Sequence, residues 1–133
     1  MSAVQTKVPL TLKEAEGLLW GFSQIGDYAG DRALTGAAEP VAILRKMGYK
    51  PKAISECCEA LMEFCYARCL TDPFTELEQA ILRLAVENSS WVYHYNLHFP
   101  EQVKMANEAR AALRSLAEKL DLLGIEVNYL PQD

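Results

Sequence analysis

Four prolines segment this chain. Pro40, Pro51, Pro73 and Pro100 each head a stretch whose apolar residues recur at helical spacing. Proline lacks an N–H, so it fits the first turn of a helix, where that N–H would have no partner, and interrupts a helix or sheet elsewhere. The pattern predicts four helix starts. Thr11 followed three residues later by Glu14 marks a fifth, because this spacing lets each side chain satisfy the other's backbone N–H.

The first helix is expected from Leu12 to about Ala29, with Ala15, Leu18, Leu19, Phe22, Ile25 and Ala29 on one face. Gly30 to Glu39 has turn-like composition and reads as a loop. A short helix over Pro40–Met47 ends at Gly48, a residue suited to a left-handed cap. The third helix, Pro51–Leu70, is apolar around most of its circumference and is expected at the centre. The fourth carries Phe74, Leu77, Ile81, Leu84, Asn88, Trp91, Tyr95 and His98 at alternating three- and four-residue steps, the seam of a helix packed along a neighbour. The fifth continues this spacing through Ala106, Ala109, Leu113, Leu116, Leu120 and Leu123 until Gly124. At 1.5 Å per residue, Pro73–His98 and Pro100–Leu123 would be roughly 39 and 36 Å long, matched for an antiparallel hairpin. Trp91 to Phe99 also alternates with the period of a half-buried strand; the length match favours helix.

The fold class expected is therefore all-α: a four- to five-helix bundle with a long antiparallel C-terminal helical hairpin and a short extended C-terminal tail. With 133 residues the chain reads as a single helical domain, 1–133, with a flexible N-terminal tail over 1–10 and an extended tail over 125–133. The net charge of −5 disfavours a broad electrostatic grip on nucleic acid or anionic lipid. No stretch approaches the ~20 apolar residues of a membrane span, and no secretory signal is visible at the N-terminus. The expected location is the cytoplasm. Cys57, Cys58, Cys65 and Cys69 all fall in the third helix, where side-chain directions disfavour disulfides, in keeping with a reducing compartment.

Several constellations bear on function. Glu56, Glu59 and Glu63 project from one side of the third helix and offer a candidate set for a hard cation such as Mg²⁺. Glu56-x-x-Glu59 resembles the first half of the acidic motif of all-α nucleoside triphosphate pyrophosphohydrolases, but Glu76, Glu78 and Glu87 do not supply the second acidic pair. Cys58, Cys65 and Cys69 have the spacing of a soft-metal set, against which stands ordinary core packing. His94 and His98 are spaced as two zinc ligands on a helix, without the glutamate beside the first histidine that a metalloprotease helix requires. Arg45, Lys46, Lys50 and Lys52 surround Gly48 as in a helix-turn-helix and are the candidate nucleic-acid contacts, although Glu56 and Glu59 would face the phosphates. No Gly-rich phosphate loop is present, no family is resembled closely enough to transfer residues, and no cofactor is expected.

The leading functional expectation is a non-catalytic helical protein-binding module acting as regulator, adaptor or inhibitor. Its partner-binding residues are Trp91, Tyr93, Tyr95 and Phe99, since a seam of this period uses only some of them. A nearly all-apolar third helix needs more cover than five elements supply. The partner is thus expected to be another protein or the chain itself, as a homodimer or higher oligomer formed through the Trp91 to Phe99 end.

Overall fold

A computed structural model describes residues 6–31, 38–88, 90–128 and 130. In chain order the elements are β1 (Lys7–Pro9), α1 (Leu12–Asp31), α2 (Ala38–Lys46), α3 (Pro51–Ala67), β2 (Cys69–Thr71), α4 (Glu76–Glu87), α5 (Ser90–Tyr93) and α6 (Pro100–Leu122). The protein is mostly helical, as the proline punctuation implies, with one small sheet added.

The start of α1 is set by the capping box read from the sequence. Thr11 N–H donates to Glu14 Oε1 at 2.7 Å, and Glu14 N–H donates to Thr11 Oγ1 at 3.1 Å. The expected loop over Gly30 to Glu39 narrows, because α1 runs to Asp31 and α2 begins at Ala38; residues 32–37 lie outside the described residues. Gly48 and Gly124 take positive φ after α2 and α6, the left-handed stops expected of them.

The centre of the fold is α1, not α3. Among the described residues α1 touches every other helix, and Leu18, Phe22 and Ile25 are fully buried. Glycines make this possible. A Cβ on Gly17 would lie 2.6 Å from the Trp91 ring, and one on Gly21 would lie 2.6 Å from the Ala85 Cβ. By contrast, α3 buries Ile54, Cys58, Leu61 and Cys65 and turns Glu56, Glu59, Ala60 and Glu63 outward. It has one core face, so the expectation that it lacked cover loses its ground.

The expected hairpin of two long helices is replaced by three pieces. A second capping box, Thr75 with Glu78, starts α4 at Glu76 instead of Pro73. Asn88 ends it in extended conformation, so α4 has 12 residues against 23 in α6. The single turn α5 then points Trp91 and Val92 into the core. Residues 94–99 form turns, neither helix nor strand: Phe99 N–H donates to the Asn96 carbonyl, His98 N–H to Asn96 Oδ1, and Asn96 N–H to Gln102 Oε1. From Pro100 the fifth expected helix forms as α6, burying Ala106, Ala109, Leu113, Leu116 and Leu120.

The sheet corrects two further expectations. Part of the supposed flexible tail is β1, which pairs antiparallel with β2 in the register Lys7↔Thr71, Val8↔Leu70 and Pro9↔Cys69. The third helix stops at Ala67 because Arg68 adopts the left-handed conformation, φ 54° and ψ 41°, and its N–H bonds back to the helix. Cys69 therefore lies on a strand, away from the helix of the other three cysteines. Residues 125–128 form no helix, and of the expected extended tail 129 and 131–133 lie outside the described residues. Val8, Leu10 and Leu70 join the helices' apolar side chains in one buried cluster.

Candidate functional site

Among the described residues, the end of α5 and the turns leading to α6 bring three large exposed apolar side chains together. Tyr93 is 61 % exposed, Leu97 54 % and Phe99 56 %. Each is placed by the local folding just described: Tyr93 ends α5, and Phe99 occupies the N-cap of α6, where Pro100 follows. The hydrogen bonds through Asn96 and Gln102 fix the segment between them. The aromatic row splits here. Trp91 is 5 % exposed against Gly17 and is a core residue, which removes it from the expected partner surface. Tyr95 is half-buried beside Lys13, whose Nζ lies 5.8 Å from the Tyr95 ring centroid and 5.5 Å from that of Trp91. Leu97 belongs to the surface and escaped the sequence reading, although it lay on the same alternation as Tyr93 and Phe99.

The histidines do not form the helical pair that a zinc site would use. His94 follows α5, its ring 4.9 Å from that of Trp20 and 5.4 Å from that of Tyr95, and His98 lies in the next turn. Among the described residues no group of three or more His, Cys, Asp or Glu side chains is placed to hold a metal ion. Glu56, Glu59 and Glu63 stand exposed along the outer face of α3, with Lys52 Nζ 3.9 Å from Glu56 Oε1. Arg45, Lys46, Lys50 and Lys52 are all exposed around the α2–α3 turn. A nucleic-acid strand crossing this turn toward α3 would leave four cations and meet three carboxylates.

Cys58 and Cys65 are buried in the core, Cys57 and Cys69 half-buried, and all four are free thiols. Burial raises the Cys58 and Cys65 thiols to about 12 and, with Glu78 nearby, the Cys57 thiol to about 11. A raised thiol holds little thiolate near neutrality, which suits packing better than metal ligation or nucleophilic chemistry.

A cleft of about 390 Å³ separates the first turn of α1 from α6, lined by Thr11, Lys13, Glu14, Glu108, Ala111, Ala112 and Ser115. Glu14 is 1 % exposed. Its Oε1 accepts from Lys119 Nζ at 2.6 Å, and the same ammonium donates to the Pro9 carbonyl at 2.8 Å. Burial pushes the Glu14 carboxyl up, but Lys119, the nearby Ser115 and the Thr11 N–H together outweigh it and leave the group below its ordinary value. The lowered value favours the carboxylate form of Glu14, and its contact with Lys119 joins β1, α1 and α6. Among the described residues, no helix is long and apolar enough to cross a membrane. No family model matches the chain, and comparison with curated proteins and with solved structures gives no match either.

Proposed function

We propose that this chain is a non-catalytic binding protein, working as a regulator, adaptor or inhibitor, whose partner protein docks on Tyr93, Leu97 and Phe99. The observation that supports the reading is that three large apolar side chains, each more than half exposed, fall within seven residues of a turn held by its own hydrogen bonds. Aromatic side chains with few rotatable bonds lose little entropy when covered, and such residues dominate the energetics of protein interfaces. A turn already ordered in the free protein adds little further ordering cost.

Co-purification from the native host tests this, comparing the parent chain with Tyr93→Glu and Phe99→Glu. A protein held by the parent and lost from both variants, with binding reproduced by the purified pair, would support the reading. Retention of the same proteins by both variants, with helix content unchanged, would rule the surface out.

A further inference from the structure

The turn before α3 and the outward face of α3 carry opposite charge, side by side on one surface. Four of the chain's thirteen basic side chains, Arg45, Lys46, Lys50 and Lys52, lie within eight residues, all exposed. Glu56, Glu59 and Glu63 follow, also exposed. Among the described residues the only ion pair within this surface is Lys52–Glu56 at 3.9 Å. Lys52, Glu59 and Tyr66 recur every seven residues, as do Ala53, Ala60 and Ala67, and all six are exposed. Two helical turns separate successive members, so each set forms a row along the outer face. The alanines leave room for another helix to come close.

We propose that a second copy of this chain docks on this face, with α3 antiparallel to α3 about a two-fold axis near Glu56, so that the basic turn of each copy covers the acidic stripe of the other. The charge pattern identifies the occupant. With the axis between residues 55 and 56, Lys52 of one copy faces Glu59 of the other, and the turn carrying Lys46 and Lys50 faces Glu63. A two-fold arrangement makes each contact twice and closes the assembly. A polyanion would meet attraction at the turn and repulsion along α3, so nucleic acid is the poorer occupant. This surface is separate from Tyr93, Leu97 and Phe99, which stay open to a different protein.

Sedimentation equilibrium with charge-swapped variants tests the proposal. The parent chain should form dimers whose dissociation constant rises about tenfold or more from low to high salt, because exposed ion pairs are screened. Lys50→Glu with Lys52→Glu should be monomeric, and so should Glu59→Lys with Glu63→Lys. Mixing the two should restore association as a heterodimer, because each basic surface then meets an acidic one. The restoration also shows that both variants are folded. A parent chain that is monomeric at low salt, variants that dimerise like the parent, or a mixture that stays monomeric would each overturn the proposal. Dimers abolished by Tyr93→Glu but not by the charge changes would also overturn it.

Discussion

Glu14 shows how one side chain can be legible and still be misjudged. Its spacing from Thr11 marks a helix start in the sequence, and the capping box forms as read. Nothing local reveals that Lys119, 105 residues away, reaches the same carboxylate. Removing one member of a buried pair leaves the other charge without compensation, so Lys119→Met should destabilise the fold by about 3 kcal/mol in urea titration. Glu14→Gln combined with Lys119→Met should recover part of that loss. The pH dependence follows from the direction of the shift. A carboxyl held below its ordinary value of 4.5 adds stability that is complete above that value and lost as pH falls through the folded-state value. The parent should therefore lose more stability than the double variant on acidification below pH 4.5. Gly21 offers a test with a clear sign. Glycine to alanine inside an exposed helix is ordinarily favourable by about 1 kcal/mol. Here the new Cβ would sit 2.6 Å from the Ala85 Cβ and 2.9 Å from its Cα, and backbone cannot rotate away. Gly21→Ala should instead cost about 1–3 kcal/mol, and a stabilised variant would contradict the close packing of α1 on α4.

At the scale of elements, the sequence is most informative where side chain and backbone act within one turn. The starts of α1, α3 and α6 were readable from Thr11, Pro51 and Pro100 because capping and proline effects are local. The end of α3 was not readable. Arg68 takes a left-handed conformation that usually belongs to glycine or asparagine, and the sheet pairing that accompanies it spans sixty residues. The seam from Phe74 to His98 misled for a related reason. Its apolar spacing is real, but Trp91 meets the core by a fresh turn over Gly17, and periodicity records only that a residue is buried, not that the helix is continuous. The exposed members of this aromatic row were equally hidden, since Tyr93, Tyr95 and Trp91 look alike in sequence and differ only in what covers them. The break at Ala67 also divides the cysteines, with a measurable consequence. Under thiol titration of the native protein Cys69 should label first, Cys57 more slowly, and Cys58 and Cys65 last, because the latter two are buried and raised to about 12. Equal rapid labelling of all four would contradict the assignment of Cys58 and Cys65 to the core.

The whole molecule is closed by a segment that composition alone assigns to a tail. Residues 6–10 cross from Asp72 to Arg68: Asp72 N–H donates to the Thr6 carbonyl and Leu10 N–H to the Arg68 carbonyl, with β1 and β2 paired between them. Val8 and Leu10 are buried in the same cluster as the helices, and Lys119 ties the Pro9 carbonyl to α6. Residues 6–10 thus connect the start of α1, the link between α3 and α4, and α6. If they were a loose appendage, deleting them would leave the denaturation midpoint unchanged. With Val8 and Leu10 each contributing about 1.5–3 kcal/mol by burial, deletion of residues 1–10 should instead cost about 3 kcal/mol or more. The loss should appear in one transition, because the buried cluster is continuous and offers no separate unit to melt first. Val8→Ala distinguishes this reading from a general effect of shortening the chain: it keeps the backbone pairing and the length, removes only apolar volume, and should lower the midpoint in the same direction by a smaller amount. A truncated chain as stable as the parent would show that β1 rests on the fold without helping to hold it.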